Sequence, residues 1–260
     1  MAIAYNPRIV TDNLVFAYDA ANVKSYPGSG SPWNDLSGNG YHATQTGARV
    51  SYSSAESAWE FTGTSTAGGQ GLYISGLNYV SGSSDAISNL TIESWIKCTS
   101  GGTGRTGDER IILSFDRSAV FRFGIGYDNA NVGKPFFSFI SNNTQRNVGS
   151  STSYTGDLRD DAWHQVSVTF DTSSVKFYID GTLVHTSTAS YGTMGGHTET
   201  ESPRYGWIGN GSEAETEGAS STSPNHLFYG FISKMNYYYK TLSDNEIAQN
   251  FNASRGRYGI

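Results

Sequence analysis

The sequence predicts an all-β fold, an antiparallel β-sandwich of jelly-roll type completed by a short C-terminal helix. Three observations carry that prediction. Hydrophobic residues alternate with polar ones through many short runs, as a strand with one buried face requires. Gly, Ser, Thr and Asn separate those runs, and no helical periodicity intervenes between them, which favours antiparallel strands over a parallel α/β sheet. The composition agrees: 13% of residues are aromatic and only 15% are charged, suiting half-buried strands better than amphipathic helices. All-β sandwiches of this length occur as single units, so residues 1–260 are read as one domain with an N-terminal arm of roughly residues 1–12.

Taken in order, the first clear strand is LTIESWIKC (90–98), followed by RIILSFD (110–116), FRFGIGY (121–127) and PFFSFIS (135–141). The strongest signal is WHQVSVTFDTSSVKFYIDGTLV (163–184). There His164, Val166, Val168 and Phe170 share one face, DTSS turns the chain, and Val175, Phe177 and Ile179 form the next inward row. Asp180-Gly181 supplies a pair that tolerates positive φ before Leu183 and Val184, so the stretch reads as a meander. YGWIGN (205–210) and LFYGFISKMNYYY (227–239) complete the strand set, with Tyr238 facing away from Tyr237 and Tyr239, whose place is core packing. Beyond them Ser243 and Glu246 have capping-box spacing, and Leu242 can staple to Ile247. The predicted helix ends near Phe251 and lays Ile247, Ala248 and Phe251 on the edge of the sandwich.

Composition excludes several function classes. A net charge of −6 and a pI near 5.3 leave no basic surface for phosphate neutralisation, so nucleic acid is not an expected partner. No apolar run of 18 residues predicts membrane insertion, and the N-terminus lacks a basic region followed by an apolar stretch, so synthesis in a cytoplasm without a signal peptide is expected. The single cysteine, Cys98, falls in a strand and is expected to be a buried inert thiol. Acidic loops at 196–226 are expected to face water.

Catalytic chemistry finds little support. GTGRTG (102–107) fits GxGxxG but precedes a strand, whereas a dinucleotide site needs a helix there. The five histidines, at 42, 164, 185, 197 and 226, lack zinc-site spacing. Glycoside hydrolysis needs two carboxyl groups about 5 to 10 Å apart. Glu93 is the lone strand-borne candidate, and the acidic residues of ETE (199–201) and EAETE (213–217) fall in loops with no evident positioning.

LTIESWIKC, the 163–184 meander and FYGFISKMNYYYKTLSDNEIAQNFN together resemble the concanavalin A-like lectin/glucanase superfamily, in particular its laminin-G-like domains. NLVFAYDAANVKSYPGSGSPWNDLSGNGYHATQTG (13–47) resembles the start of laminin-G-like virion proteins of tailed bacteriophages, notably those of marine cyanobacteria. The resemblance departs at Tyr18 and at Tyr41-His42-Ala43, not at the turn glycines Gly38 and Gly40. The carboxylate run of the glucanase branch is missing, so that activity is not implied.

The resemblance implies a non-enzymatic virion structural protein, a capsid decoration or a tail or fibre component. It would sit on the virion surface in multiple copies, as a homo-oligomer or against other virion proteins. The alternative is an adhesin recognising host-surface glycans through aromatic side chains, for which Trp33, Trp207, Tyr191 and Tyr205 lie in or beside loops. A loop tryptophan also serves as a lid over a core. Some relatives hold calcium at the sandwich rim, and the matching candidates are Asp19, Asp35 and Asn39. Their alternative role is in Asx turns that shape DLSGNG.

Overall fold

The computed structural model describes residues 8–62, 70–80, 86–100, 109–116, 119–126, 132–150, 153–195, 202–213, 215–219 and 226–260. Among the described residues, fifteen strands build two antiparallel sheets. They are β1 (Leu14–Asp19), β2 (Ala43–Thr46), β3 (Val50–Ser53), β4 (Ala58–Thr62), β5 (Gly71–Val80), β6 (Asn89–Cys98), β7 (Arg110–Ser114) and β8 (Phe121–Ile125). The chain continues through β9 (Pro135–Ser141), β10 (Thr144–Gly149), β11 (Trp163–Asp171), β12 (Ser174–Ile179), β13 (Thr182–Thr188), β14 (Pro203–Ile208) and β15 (Tyr229–Tyr238). Helix α1 (Asp244–Asn252) and a 3-10 turn (Arg255–Arg257) follow.

The first sheet runs β13-β12-β11-β6-β15-β4-β3, with β1 pairing the second half of β15 beyond the end of β4. The second runs β10-β9-β8-β7-β14-β5-β2. Between them lies the main core, with Ile92, Ile96, Val166, Val168, Phe170 and Phe177 from the first sheet. Leu113, Phe121, Phe123, Phe137, Phe139 and Ile74 face them from the second. These positions alternate along their strands, and facing rows of branched and aromatic side chains are what holds two sheets together. The predicted meander is present in full: Val166, Val168 and Phe170 pair with Ile179, Phe177 and Val175. Asp180 (φ 51°) and Gly181 (φ 74°) both adopt the left-handed conformation in the turn. His164 anchors that turn, its Nδ1 lying 2.8 Å from Asp180.

Helix α1 differs from expectation in its seat. The capping box forms as its sequence requires, Ser243 and Glu246 each bonding the other's backbone N–H. However, the helix lies on the outer face of the first sheet, not along its edge. Trp95 stacks on Tyr258 with ring centroids 3.8 Å apart, and Phe251 stacks on the same indole at 5.7 Å. Tyr178, Tyr238, Leu242 and Ile247 make a second small core there. The N-terminal arm packs against this layer: the Asn250 side chain accepts the Val10 N–H at 2.7 Å, and the Arg8 carbonyl accepts from Gln249 at 2.6 Å. Both chain ends therefore close one face.

Cys98 is fully buried. Among the described residues no helix is long and apolar enough to cross a membrane.

Candidate functional site

Asp35 organises the turn that precedes the site. Its carboxylate accepts backbone N–H groups from Ala17 at 2.9 Å, Ser37 at 2.8 Å and Gly40 at 3.1 Å, and the Ser37 hydroxyl at 2.7 Å. The Asn39 amide donates to the carbonyls of Leu14 (3.0 Å) and Val15 (2.9 Å), and Gly38 and Gly40 take the positive φ values of 94° and 82° that the reversal needs. The turn thus delivers Tyr41, whose carbonyl is held by the Tyr18 hydroxyl.

This geometry corrects the calcium assignment. A cation site needs oxygen lone pairs directed at one point, but the oxygens of Asp35 are occupied by donors, and Asn39 turns its NH₂ toward the backbone. Asp19 is on a different partner: Arg257 grips it with two nitrogens, at 2.5 and 3.0 Å. Among the described residues no three His, Cys, Asp or Glu side chains are grouped to hold a metal. The three candidates do not fit the ion, and Asp35 and Asn39 are Asx-type turn builders.

The aromatic candidates divide. Trp33 and Trp207 are fully buried and Tyr191 is 6% exposed. A sugar stacks on an open ring face, so these three are corrected to core residues. Trp33 is drawn inward by a reciprocal bridge to Ala43, with N–H···O distances of 2.7 and 3.0 Å, and its ring packs 5.0 Å from Tyr18. Tyr205 is half-buried on β14, cross-strand from Asn78.

Asn78 leads to the site itself. A groove of about 420 Å³ lies at one end of the sandwich, lined by Tyr41, Asn78, Tyr79, Ser88, Asn89 and Tyr239 among others. An irregularity in β5 shapes it: the pairing with β14 skips between Tyr205 and Trp207, where Gly76 (φ 76°) displaces the strand toward Tyr41. Glu217 fastens this bulge by accepting the Gly76 N–H at 2.8 Å. Glu215 pairs with Arg204 at 2.5 Å, so these two acidic loop residues are positioned, contrary to the sequence expectation. ETE (199–201) and GTGRTG (102–107) lie outside the described residues.

Tyr239 is 45% exposed and Tyr41 half-buried, giving the groove two accessible rings. Tyr79 supports Tyr239 from behind, donating its hydroxyl at 2.9 Å and packing edge-on at 6.4 Å between centroids. The Tyr79 hydroxyl also bonds Tyr237 in the core, and burial pushes both phenols well above their ordinary range. They remain neutral hydrogen-bonding groups. On the opposite wall Asn89 donates to Ser88 at 3.0 Å and accepts from Thr241 at 3.0 Å. The lining combines ring faces with amide and hydroxyl groups, and among the described residues it contains no carboxylate. It can stack on a pyranose ring and bond its hydroxyls.

Sequence reasoning missed this site because Tyr41, Asn78, Asn89 and Tyr239 come from four separate segments. The usable signal was the run of three tyrosines: β15 ends at Tyr238, so Tyr239 escapes the alternation that buries Tyr237.

Glu93 is also accounted for. It sits 1% exposed beneath α1, where the side-chain amides of Asn236 (3.2 Å) and Asn250 (2.7 Å) donate to it. Burial raises its pKa to about 7, against the lowering effect of those bonds and of Lys234. It is sealed from any ligand.

Comparison with known proteins agrees with the architecture. The chain superposes on the binding domain of Paraclostridial Mosquitocidal Protein 1 with a TM-score of 0.60 and 14% identity, covering 94% of this chain and 52% of that one. The botulinum neurotoxin serotype D ligand-binding domain, solved in complex with N-acetylneuraminic acid, gives 0.56 and 15%, covering 93% and 51%. The botulinum neurotoxin serotype G binding domain gives 0.58 and 14%, covering 92% and 50%. The chain spans about half the length of these structures, and at such identity the likeness is one of fold. No curated protein matches the sequence. A family model matches residues 66–248. That match spans well over half of the chain, and with two antiparallel sheets forming the sandwich, this protein belongs to the concanavalin A-like lectin/glucanases superfamily.

Proposed function

We propose that this protein is a non-enzymatic glycan-binding module displayed on the surface of a bacteriophage particle, as a capsid decoration or a tail or fibre component. The observation that carries the binding half is the tyrosine groove, where the rings of Tyr41 and Tyr239 stand beside Asn78 and Asn89. A neighbour of the same fold was solved holding an acidic sugar, which is in keeping with this reading. The non-enzymatic half is supported by a lining without carboxylates among the described residues and by the sealed position of Glu93. Placement on a virion is supported by the 13–47 stretch and its likeness to phage proteins. On this reading other virion proteins and further copies of the chain are its partners, and host-surface glycans its ligands.

A glycan array probed with the wild-type chain and with Tyr239→Ala tests the binding half. We expect defined oligosaccharides to be retained by the wild type and their signal to fall at least fivefold in the variant. An array that stays blank would leave a purely architectural decoration, which antibody labelling of purified particles would show as many copies on capsomers.

A further inference from the structure

A second groove, of about 500 Å³, lies between the edge strands β10 and β13 of the two sheets. Residues that should be apolar by alternation are polar there. On β10, Arg146 shares the inward face with Val148, which belongs to the core, and pairs with inward Phe139. On β13, His185 and Ser187 pair with the inward residues Phe177 and Val175. Three polar side chains thus enter the mouth of the sandwich from both sheets, above Tyr191, whose hydroxyl is 2.7 Å from Ser187.

Arg146 has an Nε that is buried without a hydrogen-bond partner, and no carboxylate lies among the described residues that line the groove. In a chain with 23 acidic and 17 basic residues, a recessed guanidinium beside which the described groove residues place no carboxylate is suited to receive one from a ligand. His185 has its Nδ1 engaged by Ser153 at 2.9 Å. Its burial holds the imidazole below its ordinary pKa, and hence neutral at physiological pH. On the other face of β10, Gln145 donates to Asn147 at 3.3 Å and to Ser138 at 3.2 Å, which holds this edge strand against β9.

Resting on the glycan-binding reading, we infer that this inter-edge groove is a subsite for an acidic sugar, with Arg146 receiving the carboxylate and His185 and Ser187 the hydroxyls. The planar guanidinium matches a carboxylate in two parallel hydrogen bonds, and the recessed setting strengthens them. Inward charges on edge strands also discourage edge-to-edge pairing. That role alone leaves Arg146 indifferent to ligand.

The test is NMR titration of the full chain with glucuronic acid, glucose and acetate, following the Arg146 Nε–H and His185 imidazole signals together with those of Tyr41 and Tyr239. We expect glucuronate to shift Arg146 and His185, Arg146→Gln to weaken that binding at least tenfold, and Arg146→Lys, which keeps charge and fold, to recover part of it. Tyr239→Ala should leave it unchanged. Neutral sugars shifting only Tyr41 and Tyr239, with glucuronate silent at Arg146, would overturn this inference while the glycan reading stands. Glucuronate acting at Arg146 with no sugar at the tyrosines would do the reverse. Equal shifts from acetate would overturn the assignment to a sugar.

Discussion

The last turns of β15 feed two peripheral regions that contrast sharply. Tyr238 points to the outer face of the first sheet and is sealed under α1 with Trp95 and Glu93, whereas Tyr239, one residue on, stands in an open groove. Both regions lie outside the main core and both are rich in aromatic and amide groups. The difference is the cover: capped helix and N-terminal arm close one, and nothing among the described residues closes the other over Tyr239. In the covered region the aromatic rings contribute stability, while in the open one they are available to a ligand.

The largest effect should separate the two at once. Trp95→Ala removes a buried indole stacked on Tyr258 and Phe251, and a cost of about 3–5 kcal/mol is expected. Denaturant midpoints measure it. A loss under about 1 kcal/mol would mean that the helical layer is an ornament.

Glu93→Gln comes next and acts through pH. The buried carboxyl titrates near 7 in the folded protein against 4.5 for the ordinary group. The protonated form is favoured in the fold, so stability is fully present below about 4.5 and is lost as pH rises through 7. The glutamine variant keeps an acceptor for Asn250 and carries no charge. It should therefore be more stable than the wild type at pH 8, by on the order of 3 kcal/mol, and equal to it only below about pH 4.5. Melting temperatures across that range would show the two curves converging on the acid side. His164, raised by its bond to Asp180, contributes a loss in the same direction in both proteins and cancels from the difference.

Asp35→Ala sharpens the contrast from the groove side. It leaves the N–H groups of Ala17, Ser37 and Gly40 without their acceptor, and about 2 kcal/mol of stability should go with it. Because the turn sets Tyr41, glycan binding should weaken also. Calcium should not alter the melting temperature of the wild type; a rise on adding it would contradict the turn-building role assigned to Asp35 and Asn39.

The smallest effect on stability belongs to Tyr239→Ala, expected within about 0.5 kcal/mol because the ring is so open. Its effect on binding is the largest of the set. A variant that lost stability instead would place Tyr239 with the covered tyrosines.

Most of this architecture was legible in the sequence. β6, β11, β12 and β15 announce themselves through alternation, and α1 through Ser243 and Glu246. β2 (ATQT), β3 (VSYS) and β10 (TQRNVG) were missed because they are short and polar, with one face barely apolar. β1 (LVFAYD) was missed for the opposite reason: nearly every residue is buried, so no period shows. The site was less legible. Trp33 and Trp207 look like ligand platforms in the sequence, and only the backbone bridge at Ala43 and the bulge in β5 reveal which rings turn inward. Arg146 carried no signal at all until its strand was known to be an edge.

The central claim is that the tyrosine groove holds a sugar, and the most direct measurement is a crystal structure of the chain soaked with the strongest oligosaccharide from the array. The account predicts a pyranose ring against Tyr239 or Tyr41, with the Asn78 amide on one of its hydroxyls. A sugar bound elsewhere on the sandwich, with the groove unchanged, would contradict it.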